Sequence, residues 1–211
     1  MNNPVDVLLY APATSVLLAL NIVLSLLAFQ NVRLTDRLVF DLVLIRRQHQ
    51  YYRMITSGFI HGDGFHLFMN MLALYLLGPY LEAQVQTGPF IAIYFASLLA
   101  GSAWSYMDHF RDGNYRALGA SGAVSGITTA AALFGPLQTI YVFFALPMPF
   151  ILFAALYIGW SAYASGNRVR DGIGHSAHLG GALMGIALIC LLYPQVARNA
   201  FDDVVNAITP G

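Results

Sequence analysis

Long apolar runs are the feature that most constrains how this chain can fold. Six of them follow one another along the sequence, at residues 12–29, 66–82, 89–107, 118–134, 147–164 and 174–193. A hydrocarbon core about 30 Å thick takes roughly 20 residues of helix to cross. Backbone polar groups cannot stay unpaired in lipid, so spanning segments form helices or closed barrels. The sequence therefore predicts an all-α, polytopic membrane protein with six transmembrane helices.

The composition excludes several other classes of protein. Of the 211 residues, 58% are hydrophobic and 9% are charged, which is too few charges to cover a water-soluble surface. Every basic residue is an arginine, the net charge is zero and no basic run occurs, so nucleic-acid binding is not indicated. Cys190 is the single cysteine, which excludes disulfides and cysteine-based metal sites. No cofactor is implied.

The segments between the runs have their own character. The first run lacks a basic leader and a cleavage site, so we expect it to remain in the mature protein. Residues 30–65 are predicted to be partly folded at the membrane interface. Residues 137–146 are apolar but too short to span, and prolines bracket them, so we interpret them as an interfacial connector. The whole chain, 1–211, is predicted to form a single membrane domain.

The arginines give a prediction of orientation. All but Arg198 fall in the first, third and fifth loops, namely Arg33, Arg37, Arg46, Arg47, Arg53, Arg111, Arg116, Arg168 and Arg170. By the positive-inside rule these loops face the cytoplasm and both termini face out. The five arginines of the first loop could instead serve salt bridges within a folded loop.

Polar residues inside spanning helices are costly, so each is a candidate functional residue. His66 and Asn70 lie four residues apart near the start of the second run, which places them on one helical face. Both side chains can point at the same spot. The alternative is a polar pair that satisfies nearby backbone groups close to the membrane surface.

A serine among glycines opens the fourth run. Ser121 stands between Gly119 and Gly122, and Gly126 follows one turn later. Such small residues leave the hydroxyl unobstructed and let another backbone approach closely. Ser121 is therefore a candidate nucleophile. The alternative is plain helix packing, with Gly122 and Gly126 forming a small-residue seam.

The sixth run carries a histidine on the same helical face as two glycines. His178, Gly181 and Gly185 form one stripe, so close helix contact at the glycines brings the imidazole against a neighbour. A facing serine would come within hydrogen-bond reach. His175 is a rival to His178, but it precedes the stripe and is predicted to face the loop.

These residues together supply the parts of an acyl-transfer reaction. Ser121 offers a hydroxyl nucleophile, His178 offers a base, and His66 and Asn70 offer donors for a developing oxyanion. No Asp or Glu is clearly placed to orient the base. The sequence therefore predicts a Ser-His dyad.

Other chemistries fit the same residues less well. A zinc protease would need His-Glu-x-x-His, which is absent, although histidines 61, 66, 175 and 178 could still gather round a metal. Glu82 lies about four turns from His66, too far to join them. The spacing of an α/β-hydrolase elbow is also wrong. A transporter or channel, with a helix broken at Pro147 and Pro149, is the alternative from composition alone.

Three motifs in order resemble the rhomboid family of intramembrane serine proteases. The first runs through residues 52–61 and 66–70 to Gly78 and Glu82, the second is residues 119–122, and the third is residues 177–181. The resemblance extends over residues 46–185. It implies a six-helix bundle in which the fourth helix starts partway into the bilayer.

The resemblance also implies roles for individual residues. Ser121 matches the nucleophile and His178 the base, while His66, Asn70 and the backbone N–H of Ser121 match the oxyanion-binding groups. The implied substrates are single-pass transmembrane proteins, cut within or beside the spanning segment, and the implied location is the cell (inner) membrane. A client-binding relative with little or no activity is the alternative within this fold. Nothing in the sequence indicates the oligomeric state.

Three features depart from the family pattern. Tyr52 stands where many members have tryptophan, and Ser125 stands where many have an aromatic residue that stacks on the base. The imidazole is then either held less firmly or held by another aromatic. Most bacterial members place the odd-numbered loops outside, which the arginine count contradicts.

Overall fold

The computed structural model describes residues 10–142, 144–169 and 171–209. Arg170, one of the arginines counted above, lies outside the described residues. Six longer helices occupy the predicted apolar runs: α1 (Pro12–Gln30), α5 (Gly64–Val85), α6 (Thr87–Asp108), α7 (Ser121–Phe134), α8 (Phe150–Gly166) and α9 (His175–Leu192). The predicted six-helix, all-α membrane architecture is confirmed.

Shorter elements connect these helices. The first loop holds α2 (Val32–Leu38), β1 (Phe40–Asp41), α3 (Leu42–Gln48), α4 (Arg53–Thr56) and a 3₁₀ turn (Ser57–Phe59). The third loop contains β2 (Arg116–Ala117), which pairs antiparallel with β1. The fourth loop holds β3 (Thr139–Val142) and β4 (Leu146–Pro149), and α10 (Pro194–Ile208) follows α9.

The central helix of the bundle is short. Among the described residues, α1, α5, α6 and α9 are long and apolar enough to cross a membrane. With 14 residues, α7 is about 21 Å long, less than the roughly 30 Å hydrocarbon core. All of its residues from Gly122 to Ala132 are buried. A helix this short can start partway into the bilayer, as the resemblance implies.

Two predicted helix starts were wrong by three residues. The fourth helix begins at Ser121 rather than at 118, because Gly119 has a φ of +117°, outside the helical region. The fifth begins at Phe150 rather than at 147, because Pro147 and Pro149 lie in β4. Proline has no backbone N–H to donate, and a strand at the edge of a sheet tolerates this missing hydrogen bond. The predicted connector is therefore largely a β-hairpin, with Val142 opposite Leu146.

Glycines bring α7 and α9 into backbone contact. A methyl group on Gly181 would collide with the carbonyl oxygen of Gly122, and one on Gly185 would collide with that of Gly126. A methyl group on Gly101 of α6 would lie 2.6 Å from the carbonyl oxygen of Ala177. The predicted glycine stripe and packing seam are thus confirmed. This contact sets Ser121 on α7 beside the His178 end of α9.

A carboxylate from α5 caps the start of α1. Glu82 is buried and accepts hydrogen bonds from the backbone N–H groups of Ala13 (3.0 Å) and Thr14 (2.9 Å), and from the Thr14 hydroxyl (2.8 Å). Ala11, the residue before α1, provides no side-chain cap. The first N–H groups of a helix lack partners within it and favour negative charge. Glu82 therefore joins two helices through charged hydrogen bonds.

Some of the arginines used to predict the orientation form hydrogen bonds or ion pairs within the protein. Arg53 is buried and donates to the carbonyl oxygens of Asp36 and Val39, both at 2.8 Å. Arg116 pairs with Asp36 at 2.6 Å and with Asp41 at 3.6 Å. Residues fixed within a folded loop are a weaker guide to which side faces the cytoplasm. The orientation stays a prediction.

Candidate active site

The turn before α7 delivers Ser121 to the first position of that helix. Gly119 donates its N–H to the carbonyl oxygen of Ser57 (2.9 Å), and its positive φ redirects the chain. A Cβ on Gly119 would lie 2.6 Å from Cε1 of His66. Both the conformation and the close approach therefore require glycine here. Ser121 is half-buried, and the residue before it, Ala120, makes no side-chain cap to the helix.

His61 also holds the turn before α7. Nε2 of His61 accepts a long hydrogen bond from the backbone N–H of Ala120 (3.4 Å). Its Nδ1 therefore carries the proton and donates to the Ser25 hydroxyl (2.9 Å), which in turn donates to the carbonyl oxygen of Phe59 (3.3 Å). Burial, with a smaller effect from the neighbouring His66, lowers the pKa of His61 to about 3. The ring is therefore neutral, as this network requires.

His66 and Asn70 lie one turn apart on α5, as predicted. Asp63 caps this helix by accepting from the backbone N–H of His66 (2.8 Å). Asn70 is buried, and its Nδ2 donates to the carbonyl oxygen of His66 (3.0 Å). The His66 ring lies against Gly119 and meets the His61 ring edge-on at 5.1 Å. The α5 pair and the turn before Ser121 are thus neighbours.

The His178 imidazole is stacked on an aromatic residue from α8. The rings of His178 and Tyr157 are 5.8 Å apart with an interplanar angle of 26°. The Tyr157 hydroxyl lies 2.5 Å from the Ser125 hydroxyl, which donates to the carbonyl oxygen of Ser121 (2.6 Å). Of the two alternatives left open by Ser125, the structure shows the second, in which another aromatic replaces the missing one.

His175 is held by the loop that precedes α9. It is buried, and its Nε2 lies 3.0 Å from a carboxylate oxygen of Asp171. This hydrogen bond is the main cause that lowers the pKa of Asp171. The His175 ring also meets the His178 ring edge-on at 6.1 Å. In the described part of the chain, no hydrogen bond or ion pair joins His178 itself to a carboxylate.

The structure brings the four predicted site residues close together, but not all of them are in direct contact. The backbone of Gly122, next to Ser121, approaches the carbonyl of Ala177, next to His178. Within the described ranges no hydrogen bond joins the Ser121 hydroxyl to the His178 ring. Catalytic hydrogen bonds are often long in unliganded enzymes and tighten with substrate. The arrangement can support nucleophilic attack by a serine with an adjacent imidazole.

Comparison with known protein families identifies the fold. Residues 48–195 match the family model described as "Rhomboid domain". The chain belongs to the rhomboid family. With its apolar helices, this rhomboid is an integral, multi-pass membrane protein. The match does not include the ends of the chain, so a single domain over 1–211 stays a prediction.

Individual relatives share the same region. The rhomboid chain is 29% identical to "RHOMBOID-like protein 12, mitochondrial" of Arabidopsis thaliana, over 71% of this chain and 48% of the relative. It is 34% identical to "Rhomboid protein 1, mitochondrial" of Saccharomyces cerevisiae, over 63% and 39%. It is 29% identical to "Rhomboid protease AarA" of Providencia stuartii, over 71% and 59%. The chain spans about half the length of these curated relatives.

Proposed function

We propose that this rhomboid is an intramembrane serine endopeptidase that cleaves single-pass transmembrane proteins. The observation that carries the proposal is the placement of Ser121 at the uncapped start of α7, where α7 packs against the His178 end of α9. His66 and Asn70 lie beside the same turn. One relative, the Providencia stuartii protein, is named a protease.

The proposed reaction proceeds through an acyl-enzyme. The Ser121 hydroxyl attacks the scissile carbonyl carbon while His178 accepts its proton. His178 then gives this proton to the leaving amine as the peptide bond breaks. Water, with His178 again as base, hydrolyses the Ser121 ester and restores the enzyme. Positioned acid–base catalysis of this kind contributes about 10²- to 10⁴-fold to the rate.

Three donors are proposed to bind the oxyanion of the tetrahedral intermediate. They are the side chains of His66 and Asn70 and the backbone N–H of Ser121. The N–H of Ser121 belongs to the first turn of α7, where helix N–H groups lack partners and the helix dipole favours negative charge. Donors arranged in advance stabilise the charge without reorganising during the reaction.

Replacing Asn70 with alanine should lower kcat by about 10²- to 10³-fold without abolishing cleavage, because one oxyanion donor is lost. The measurement is steady-state cleavage by the purified, reconstituted protein. Asn167→Ala is a matched control, since Nδ2 of Asn167 likewise donates to the carbonyl four residues earlier, in α8. Equal rates for Asn70→Ala and Asn167→Ala would remove Asn70 from the proposed oxyanion site.

Replacing Gly119 with alanine should reduce activity by about 10²-fold while the protein stays folded, since displacing a catalytic group by about 1 Å can cost that much. The added methyl group meets the His66 ring at 2.6 Å, and φ at this position is +117°. Gly113→Ala in the same loop is the control, because a methyl group there meets no atom of the described residues within 4 Å. Cleavage rate and thermal midpoint would both be measured. A Gly119→Ala protein as active as Gly113→Ala would contradict the proposed geometry.

The proposed substrates contain a transmembrane segment that is locally unstable as a helix. A fully hydrogen-bonded helix hides its carbonyls from a nucleophile, whereas helix-breaking residues expose them. The test is cleavage in liposomes of a single-pass substrate with a Gly-Pro-interrupted segment, compared with an all-leucine version. We expect cleavage within or beside the interrupted segment and little of the all-leucine one. A folded wild-type protein that cuts neither would favour the client-binding or transport alternatives.

The proposed location is the cell (inner) membrane, with the lipid bilayer and membrane-spanning substrates as partners. The relatives whose names include "mitochondrial" support the alternative, a membrane of that organelle.

A further inference from the structure

Tyr157 contacts both of the helices that carry the proposed dyad. Its ring stacks on His178 of α9 at 5.8 Å, and its hydroxyl lies 2.5 Å from that of Ser125 on α7. Ser125 is one turn after Ser121. The sequence alone does not distinguish Tyr157 from the other aromatic residues of this apolar helix.

The direction of the hydrogen bonds fixes the Tyr157 ring. The Ser125 hydroxyl has one proton, which it donates to the carbonyl oxygen of Ser121 (2.6 Å). The Tyr157 hydroxyl is therefore the donor to Ser125. One turn earlier on α8, the ring of Phe153 stacks on Tyr157 at 6.0 Å and 15°. The phenol ring is thus held at its hydroxyl and on its face.

His178 has few other groups that could orient it. Among the described residues it makes no hydrogen bond or ion pair with a carboxylate, and the nearby carboxylate of Asp171 is bonded to His175. The flanking rings of Tyr157 and His175 are therefore its side-chain restraints. Stacked aromatic pairs attract each other beyond the effect of the area that they bury.

We propose that Tyr157 is a positioning residue for His178, and that it couples the placement of α8 to the orientation of the base. This rests on the proposed function. The outward side of α8 is exposed at Leu152, Leu156 and Tyr163, and Ser165 near its end bonds to Asp108. A displacement of α8 away from α9 separates the stacked rings, and a displacement away from α7 breaks the Tyr157–Ser125 hydrogen bond; either removes a restraint on the imidazole.

The test compares three variants of the full chain, reconstituted with the interrupted single-pass substrate. Tyr157→Leu removes the ring and should lower kcat by about 10- to 100-fold with KM nearly unchanged, as expected for a misplaced catalytic group. Tyr157→Phe keeps the ring and loses only the hydrogen bond to Ser125, so it should cost about threefold to tenfold. Ser125→Ala also keeps the ring, but it loses the bond to the Ser121 carbonyl oxygen as well, so it should cost at least as much as Tyr157→Phe. Tyr163→Leu, exposed on the same helix, is the control.

A second readout does not depend on cleavage. Carbethoxylation of His178 by diethyl pyrocarbonate, mapped by mass spectrometry in a Ser121→Ala background, reports how far the ring is covered. Tyr157→Leu should raise the His178 modification rate several-fold relative to Tyr163→Leu, while Tyr157→Phe should not. If the wild type cleaves nothing but this pattern holds, the proposed function fails and the positioning role stands.

Two results would overturn the inference. One is a Tyr157→Leu protein with wild-type kcat and wild-type His178 reactivity. The other is an equal loss of kcat and of thermal midpoint in Tyr157→Leu and Tyr157→Phe, with unchanged His178 reactivity, which would make Tyr157 a packing residue only.

Discussion

Replacing Ser121 with alanine should abolish proteolysis, because no acyl-enzyme can form without the hydroxyl. In serine proteases that keep their oxyanion site, losing the nucleophile costs on the order of 10⁶ in kcat. His178→Ala should cost nearly as much. The double variant should be no worse than either single one, because residues that act as a unit are not additive. Cleavage of the reconstituted single-pass substrate measures all three.

The control for this series is another serine whose hydroxyl makes no hydrogen bond to the described residues. The hydroxyl of Ser161 on α8 is buried and has no hydrogen-bond partner among the described residues. Ser161→Ala should therefore leave activity and stability close to wild type. Because alanine adds no atom at position 121, Ser121→Ala should unfold at the wild-type temperature. A Ser121→Ala protein that still cleaves at the wild-type rate would show that the mechanism is wrong.

Replacing Glu82 with alanine should cause a large loss of stability. The carboxylate accepts hydrogen bonds from two backbone N–H groups of α1 and from the hydroxyls of Thr14 and Thr87. Hydrogen bonds to charged groups are worth about 1.5 to 3 kcal/mol each, and buried donors without partners are costly. We expect a loss of about 3 kcal/mol or more, and a fall on the order of 5 to 15 °C in the thermal midpoint in detergent.

Two comparisons separate the cap from other effects at this end of α5. Gln84→Ala changes an exposed side chain two residues away and should shift the midpoint little. Glu82→Gln keeps an acceptor oxygen but loses the charge, so it should fall between wild type and Glu82→Ala. If Glu82→Ala and Gln84→Ala unfold at the same temperature, the Glu82 contacts with α1 do not stabilise the protein.

The helices and the helix contacts could be predicted because the sequence carries a direct signal for each. Apolar runs of spanning length mark the six helices, and glycines at helical spacing mark the face where α7 meets α9. His66 and Asn70 were predicted because polar side chains are energetically unfavourable in a spanning helix, and because a spacing of four residues places them on one face. These signals are local, so no tertiary information was needed.

The residues that were missed act through contacts between distant segments. Tyr157 lies in a helix that is apolar on every side, so nothing in α8 marks the face that meets His178. The one available signal was Ser125. Its small side chain leaves space for another aromatic ring beside His178, and its hydroxyl can form a hydrogen bond with that aromatic residue. Similarly, His61 was considered only as a metal ligand, because its bond to Ala120 depends on how the third loop folds back.

Other contacts that the sequence did not reveal have the same origin. Glu82 was excluded as a metal ligand for its distance from His66, while its real partners lie on α1, 68 and 69 residues earlier in the chain. Apolar residues 137–146 were not assigned strands, because proline-bracketed apolar segments give no alternating pattern. The arginine count left open that the first loop engages its own arginines, but which arginines have partners, Arg53 and Arg116 among them, depends on the fold.

The most direct test of the central claim is labelling with a fluorophosphonate, which reacts with activated serines. Detergent-purified wild type would be compared with Ser121→Ala and His178→Ala, and the modified peptide identified by mass spectrometry. The account predicts labelling of wild type at Ser121 alone, and none in either variant. Labelling at another serine, equal labelling of Ser121→Ala, or no labelling of folded wild type would contradict it.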